Sequence, residues 1–283
     1  MIRKTAYEMF DDVIEAASTE LVESVEEDLD INHKHDEIGG RTVVTNADRR
    51  IDAKAKPIVD EYGIPFVSEE GEHDIEIVKT GNYAILDSVD GTLALIEHVK
   101  KGSPQNPAID PTLGERYDYS LLIGIVEDGR PRFGCCYNYV TGEKIYLDSE
   151  GDVRRTGPSR KEFEARLARY VDSRSNDPIN QRIAKDPAVS TYYLGSLGIA
   201  SIYAQLYKHE AAVISHFPQE NGLWDILPGC VLSEADKSNG TRFYDGHGNE
   251  ISYTDYILIP KGVVMIRGDK FNWVIDELRK TQE

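Results

Sequence analysis

The stretch Asn82-Tyr-Ala-Ile-Leu-Asp-Ser-Val-Asp-Gly-Thr92 joins a short apolar run to two carboxylates and a glycine. The apolar run predicts a buried strand, and Asp87 and Asp90 follow where that strand would end. Gly91 and Thr92 precede another apolar stretch, which indicates a tight turn and the start of a helix. Carboxylate and carbonyl oxygens are ligands of hard divalent cations, and free N–H groups at a helix start favour an anion. The stretch therefore predicts a place where a metal ion and a phosphate group meet.

The composition is that of a globular protein with an acidic surface. The chain has 283 residues, of which 40% are hydrophobic and 29% charged, enough for one large domain or two intimate ones. Its net charge of -18 argues against nucleic-acid polymers as partners, because their binding relies on Lys and Arg. No apolar run approaches the ~20 residues of a membrane span, and the N-terminus lacks the pattern of a signal peptide. We therefore expect a cytoplasmic protein that does not bind membranes.

The three cysteines have no pattern typical of a functional site. Cys135, Cys136 and Cys230 form neither a disulfide framework nor a zinc-binding motif. The first two lie within a predicted strand. We therefore expect all three to be buried, reduced thiols.

Helical and strand patterns alternate along the chain and predict a mixed α and β protein of layered sheets and helices. Residues 119–147 read as three strands joined by Gly-containing turns, which predicts an antiparallel meander. Residues 32–40 read as a polar connector. The segment Glu97–Asp118 has little periodicity, and long irregular segments of this kind often form lids or binding loops. A boundary near Gly151–Ser159 divides the chain into predicted domains 1–152 and 153–283.

Three further acidic positions lie next to apolar segments, where an unpaired charge would be costly. Glu69 and Glu70 follow a predicted strand, Asp225 lies beside Trp224 at a helix start, and Asp48 lies early in another helix. Each has a plainer explanation on its own. Asp48 and Asp225 could be first-turn acids favoured by the helix dipole, and the glutamates could belong to a solvated loop.

Competing catalytic motifs are absent from the sequence. There is no phosphate-binding Gly-x-x-x-x-Gly-Lys-[Ser/Thr] loop and no Gly-x-Gly-x-x-Gly. Gly-x-Ser-x-Gly is also missing, which argues against a serine hydrolase of the nucleophile-elbow type. The ligand spacing of residues 87–92 is not that of an EF-hand loop.

Four motifs, in this order, resemble those of the inositol monophosphatase superfamily of magnesium-dependent, lithium-sensitive phosphatases. They are Val-Thr-Asn-Ala-Asp48, Ser-Glu69-Glu70, Asp87-Ser-Val-Asp90-Gly-Thr92 and Trp224-Asp225-Ile-Leu-Pro-Gly229. The resemblance spans about residues 5–280 and implies a layered α/β/α/β/α sandwich. It also implies that domain 1–152 carries most metal ligands, whereas domain 153–283 supplies Asp225 and substrate contacts.

The resemblance implies a set of ligands for two or three Mg²⁺ ions. Glu69 would bind one metal and help to activate water. Asp87 would bridge two metals, and the Val89 carbonyl would complete the first site. Asp90 and Asp225 would hold the second metal.

The remaining implied roles concern water and phosphate. Thr92 would orient the nucleophilic water, which Asp48 and Thr92 together would polarise. The N–H groups of Gly91 and Thr92 would hold phosphate. From the residues alone, Gly195-Ser196 before a predicted helix could contact the substrate or could form a packing turn.

The expected function is hydrolysis of a small phosphorylated metabolite, of the inositol monophosphate type, by metal-activated water in a homodimeric protein. A 3'(2'),5'-bisphosphate nucleotidase is the alternative, supported by Ser68 and by the stretch Asp172-Ser173-Arg174-Ser175. Fructose-1,6-bisphosphatase is a further alternative. A non-catalytic homologue that binds metal and phosphate would be a different class, but the crowded acids count against it.

The chain departs from the family pattern at three places. Ser88 stands where the family usually has Pro, and Leu227-Pro228 stands where it has small residues. After the last motif, Glu234-Ala235-Asp236-Lys237 replaces an acidic residue, Ala and two glycines. These changes leave the implied metal ligands in place but bear on the substrate.

Overall fold

The computed structural model describes residues 3–27, 29–35, 41–71, 73–100, 119–147, 152–157, 167–171, 177–185, 190–191, 211–215, 221–235 and 241–280. The helix predicted after Gly195-Ser196 and most of the segment Glu97–Asp118 lie outside these residues. The described helices are α1 Arg3–Glu26, α2 Asn46–Glu61, α3 Ile75–Lys79, α4 Thr92–Lys100, α5 Pro178–Ala184, α6 Leu223–Ala235 and α7 Asn272–Lys280.

Four sheets are formed by fifteen described strands. The strands are β1 Ile31–His35, β2 Arg41–Thr45, β3 Phe66–Ser68, β4 Tyr83–Asp90, β5 Ser120–Glu127, β6 Arg130–Asn138, β7 Lys144–Leu147, β8 Val153–Thr156, β9 Leu167–Val171, β10 Ser190–Thr191, β11 Ala211–Ser215, β12 Asn221–Gly222, β13 Arg242–Asp245, β14 Leu258–Ile259 and β15 Val263–Arg267. A six-stranded sheet has the order β3-β4-β5-β6-β7-β8, and a five-stranded sheet has the order β10-β9-β11-β15-β13. The pairs β1-β2 and β12-β14 form two small antiparallel sheets.

The six-stranded sheet is covered on both faces, and its central strands are therefore buried on both sides. In β4, Ala84 and Leu86 pack in one core with α1 and α2. The alternate residues Tyr83 and Ile85 pack in a second core with α6. Successive side chains of a strand point to opposite faces, so a continuous apolar run is the pattern that such a strand requires.

The second core also reaches the five-stranded sheet, so α6 lies between the two large sheets. Met265 of β15 belongs to the core of α6, whereas its neighbours Val264 and Ile266 belong to a third core with α5 and α7. The order of layers is therefore α1 and α2, the six-stranded sheet, α6, the five-stranded sheet, and α5 with α7. This arrangement confirms the predicted mixed α/β class with its α/β/α/β/α layers.

The meander predicted over 119–147 is confirmed as the antiparallel strands β5, β6 and β7. The connector predicted over 32–40 is wrong in its first part, because residues 31–35 pair with 41–45 as the hairpin β1-β2. β8 pairs with β7 across the predicted boundary at 152/153, and the two-domain division stays a prediction. The three cysteines are buried and free, as expected. Among the described helices, none has the length and apolar character that a bilayer crossing requires.

Candidate active site

A bulge in β4 places Asp87 and Asp90 on the same face of the sheet. Asp87 pairs with Leu122 and Asp90 with Ser120, so β4 has two residues opposite the single Leu121. Residues three apart in a regular strand point to opposite faces, and one extra residue reverses that alternation. Both carboxylates therefore point to the face that α6 covers. Asp87 is 1% exposed and Asp90 is 9% exposed.

The turn after Asp90 starts a helix directly at the carboxylates. Gly91 has φ +96°, a conformation that glycine adopts without strain. The Gly91 carbonyl accepts hydrogen bonds from the N–H groups of Ala94 and Leu95, at 2.8 and 3.2 Å, and so begins α4. The first turn of a helix leaves its own N–H groups without partners inside the helix. The predicted strand, turn and helix start are all present here.

Asp48 is held by a capping box at the start of α2. The Thr45 N–H and hydroxyl donate to Asp48 Oδ2 at 2.8 and 2.6 Å. The Thr92 hydroxyl lies 3.2 Å from Asp48 Oδ1 and 3.0 Å from the Val89 carbonyl oxygen. The hydroxyl has one proton and can donate it to either acceptor. Thr92 therefore links the first turn of α2 to the bulge of β4.

Glu69 lies beside Asp87 because β3 pairs in parallel with β4. Ser68 is opposite Leu86 in that pairing, and the N–H of Glu69 donates to the Leu86 carbonyl at 3.1 Å. The Ser68 hydroxyl donates to Asp52 Oδ2 at 2.7 Å. A Cβ at Gly71 would lie 2.6 Å from Ser68 Oγ, so the turn after Glu69 closes tightly on this hydrogen bond.

Asp225 comes to the site from the second half of the chain, in the first turn of α6. The Gly222 N–H donates to Asp225 Oδ2 at 2.8 Å, and the Asn221 side chain also forms a hydrogen bond with this carboxylate. Gly222 is required here because a Cβ would lie 2.0 Å from the ring of Trp224. The short sheet β12-β14 thus fixes the start of α6 and the direction of Asp225.

The electrostatics show that these acids form one group. Burial raises the pKa of Asp87 well above its usual range, and the negative charges of Glu69, Asp90, Asp225 and Asp48 raise it further. Burial raises the pKa of Asp48 to about 6, against the hydrogen bonds from Thr45 that lower it. Burial likewise raises the pKa of the half-buried Asp225 to about 6. Several ionised carboxylates at this spacing repel each other unless a cation neutralises them.

The donor set fits a hard divalent cation better than any other group. All its atoms are carboxylate or carbonyl oxygens, which are the ligands that Mg²⁺ prefers. As they are placed, no three acidic, histidine or cysteine side chains in the described part of the chain converge closely enough to hold an ion. Metal binding would therefore require the mutually repelling carboxylates to turn towards one another. The burial of Asp48, Asp87 and Asp90 near one another is the observation that supports a cation here.

Sequence reasoning missed several side chains that hold this site. Asp52 is one turn after Asp48 on α2 and binds Ser68, and this i, i+4 spacing was the available signal. Tyr139 is buried, and its hydroxyl donates to the Ser88 carbonyl in the bulge at 2.9 Å. The sequence gives no signal for Tyr139, since that contact joins residues 51 apart. Gly195, Ser196 and the Asp172–Ser175 stretch lie outside the described residues.

The comparisons with known proteins define first a fold class and then a family. The chain has the fold of an IMPase/NADP phosphatase solved with Mg²⁺ and phosphate, with 14% identity, a TM-score of 0.69, and coverage of 98% of this chain and 95% of that one. A staphylococcal inositol monophosphatase-1, solved as a LiCl-soaked inhibitory complex, has 14% identity, a TM-score of 0.70 and the same coverage. The extragenic suppressor protein SuhB from Bartonella henselae has 15% identity, a TM-score of 0.61, and coverage of 96% and 98%.

The family profile of the inositol monophosphatase family matches residues 4–272 of this chain. The chain therefore belongs to the inositol monophosphatase family. Members of this family hydrolyse phosphomonoesters, so the protein is a phosphatase. No curated protein matches the chain by sequence.

Proposed function

We propose that the protein is a Mg²⁺-dependent phosphomonoesterase that cleaves a small phosphorylated metabolite by direct attack of water. One observation carries this proposal. The Thr92 hydroxyl lies between the buried carboxylate of Asp48 and the Val89 carbonyl, beside the charged group centred on Asp87. A hydroxyl in this position links a potential base to the place where metal and phosphate would bind.

Asp48 and Thr92 would act together on the attacking water. When Thr92 donates its proton to Asp48, a lone pair of its oxygen is left to accept a hydrogen bond from the water. The proton of the water would move towards Thr92 while the Thr92 proton moves to Asp48. A carboxyl pKa of about 6 favours this role, because general bases work best when their pKa lies near the working pH.

The ligands of the proposed metal site would be Glu69, Asp87, Asp90 and Asp225, with the Val89 carbonyl. Bound Mg²⁺ would supply charge to lower the pKa of water and to stabilise the leaving oxygen. The Val89 carbonyl accepts from Thr92, but an oxygen with two lone pairs can also serve a metal. The Mg²⁺ and Li⁺ complexes of the related structures support both a Mg²⁺ requirement and Li⁺ inhibition.

The start of α4 would hold the phosphate group. The N–H groups of Gly91 and Thr92 belong to the turn and the first helical residue, where donors favour an anion. Gly91 carries no side chain, which leaves its backbone open to a close approach. The substrate phosphate would thus lie against the carboxylates of β4 with the cation charge between them.

We assign the substrate to the inositol monophosphate type, with a 3'(2'),5'-bisphosphate nucleotide as the alternative. Ser68 supports a nucleotide substrate less than its place before Glu69 suggests, because its hydroxyl is buried and donates to Asp52. Fructose-1,6-bisphosphate remains a third substrate to test. We further expect a cytoplasmic homodimer.

A phosphate-release screen tests the proposal. The panel contains inositol monophosphates, adenosine 3',5'-bisphosphate and fructose-1,6-bisphosphate, each with Mg²⁺, with EDTA and with Mg²⁺ plus Li⁺. We expect release from one class with Mg²⁺, none with EDTA, and inhibition by Li⁺. The Asp90→Asn variant should keep the fold by circular dichroism and lose phosphate release. Mg²⁺-independent release, or none from any member of the panel, would contradict the proposal.

A further inference from the structure

The exposed residue His73 makes two contacts that join the acidic loop after β3 to the start of α6. Its Nε2 lies 3.1 Å from the carbonyl oxygen of Glu69. A carbonyl oxygen only accepts, so Nε2–H donates. The His73 ring also stacks on Trp224, with ring centroids 4.8 Å apart and planes inclined by 34°. This separation lies within the range of about 4.5–7 Å that offset aromatic pairs prefer.

These contacts complete a backbone anchor for Glu69. Its N–H donates to Leu86, the residue before Asp87. Its carbonyl accepts from His73, which stacks on the residue before Asp225. The backbone N–H and the backbone carbonyl of Glu69 are therefore both tied to residues that neighbour other acids of the site.

We propose that His73 is a positioning residue that fixes the backbone at Glu69 relative to the start of α6, so that the carboxylates of Glu69 and Asp225 can turn to one divalent cation. This inference rests on the proposed function, since it assumes that both carboxylates serve the metal. β3 and β4 already set the distance from Glu69 to Asp87 through their parallel pairing. Asp225 arrives from a helix in the second half of the chain, so the stack of His73 on Trp224 is a direct link between the loop and that helix.

The exposure of His73 and the burial of Trp224 fit this role. Trp224 is 5% exposed, whereas His73 lies at the surface with its ring against Trp224. Water could satisfy the Glu69 carbonyl without His73, so folding does not require this hydrogen bond. What water could not supply is the link to Trp224. Loss of His73 should therefore affect cation affinity more than stability.

Three variants separate the two contacts. His73→Phe keeps a ring to stack and loses the donor, His73→Gln keeps a donor and loses the stack, and His73→Ala loses both. Lys79→Ala is the matched control, because Lys79 is exposed on α3 and pairs with Glu76. Calorimetric titration with Mg²⁺ measures affinity directly, apart from turnover. We expect His73→Ala to weaken Mg²⁺ binding about tenfold, the scale seen for residues that support metal ligands, and Lys79→Ala to leave it unchanged.

A second readout tests the stack itself. Trp224 and Trp273 are the two tryptophans of the chain, so a Trp273→Phe background leaves Trp224 as the one fluorophore. Without Mg²⁺, the emission of Trp224 should change in His73→Ala and stay closer to the parent in His73→Phe. In His73→Ala, phosphate release relative to the parent should fall much less at saturating Mg²⁺ than at low Mg²⁺, because the defect lies in cation binding.

The outcomes distinguish the inference from the proposed function. If the parent protein binds no Mg²⁺, the proposed function fails and the inference falls with it. If the parent binds Mg²⁺ and all three His73 variants bind it equally well, the inference alone is overturned. Unchanged Trp224 emission in His73→Ala would also overturn it, because the stack would then be absent in solution.

Discussion

The side chain of Leu227 occupies the space that Gly124 leaves open, since a Cβ at Gly124 would lie 2.4 Å from Leu227 Cδ2. Gly124 and Gly134 face each other across β5 and β6 and form a shallow trough in the sheet. A Cβ at Gly134 would lie 3.0 Å from the Pro228 Cα. The bulky Leu227-Pro228 pair is a departure from the family pattern. It fits because the sheet residues opposite it, Gly124 and Gly134, have no side chains. The trough lets α6 approach the sheet closely, and this approach sets how near Asp225 lies to the sheet.

Gly124→Ala should destabilise the protein by about 1–3 kcal/mol, the usual cost of overpacking a core. Leu227→Ala alone should cost about 2–5 kcal/mol because it leaves a cavity. The double variant should cost less than the sum, since the added methyl fills part of the space. Urea unfolding of the four proteins measures this coupling.

Gly134→Ala is the control for that cycle. Its Cβ would meet the backbone of Pro228 and the Cβ of Val231, not Leu227. Leu227→Ala should therefore give Gly134→Ala no relief, and their costs should add to within about 0.5 kcal/mol. Equal coupling for both glycines would contradict this account of the trough.

Thr92→Val should lower kcat by about 100-fold or more, because it removes the hydroxyl between Asp48 and Val89 while keeping the shape of the side chain. Thr92→Ser should keep most of the activity, since it keeps the hydroxyl. Phosphate-release kinetics on the best substrate provide the test, with circular dichroism to verify the fold. Similar rates for the two variants would show that the hydroxyl takes no part in the reaction.

Gly71→Ala should disturb the Glu69 loop, because its methyl would collide with the Ser68 hydroxyl that binds Asp52. Ser68→Ala removes the same hydroxyl and should cost about 1 kcal/mol of stability. The double variant should resemble Ser68→Ala alone, since the collision is gone. Thermal unfolding and Mg²⁺ titration of the three variants measure this. Additive effects on stability would mean that Gly71 acts through another contact.

Without divalent cations, the buried acids should make the protein less stable as the pH rises. Burial raises the pKa of Asp48 from its usual 3.8 to about 6 in the folded state. The folded state therefore holds this proton more tightly, and the associated stability is present below pH 4 and lost as the pH passes 6. The loss for Asp48 is about 3 kcal/mol at most, because one unit of pKa corresponds to about 1.4 kcal/mol.

Melting temperatures with EDTA at pH 5 and pH 8 provide the comparison. Asp48→Asn carries no charge to bury, so its stability relative to the parent should rise between these pH values. Mg²⁺ should raise the melting temperature of the parent more at pH 8 than at pH 5, because it binds the ionised carboxylates. An equal Mg²⁺ effect at both pH values would count against a carboxylate site.

The sequence was sufficient to predict the elements whose signal is local. The apolar run before Asp87, the turn at Gly91 and the meander of β5 to β7 all follow from residue type and spacing within a few positions. The family motifs also identified the layered fold, because they occur in order along nearly the whole chain. Asp48 was predicted near Thr92 by that resemblance, and the two side chains are in contact.

Features that depend on distant pairing were not predictable in this way. The polar residues of β1 give no strand pattern, and the strand exists because it pairs with β2. The bulge of β4 appears only when its register against β5 is known. The contact of His73 with Trp224 joins segments about 150 residues apart in sequence, so no local pattern could indicate it. In each case the deciding interaction is tertiary.

The bulge means that the geometry of the acidic pair depends on the number of residues between its members. If the same four residues paired in a regular register, without the bulge, Asp90 would turn to the opposite face, away from Asp225. Replacing the side chain at position 88 leaves this count intact, so Ser88 is compatible with the bulge although the family resemblance implies Pro there. The direction of Asp90 is therefore set by how β4 pairs with β5, and not by the side chain at position 88.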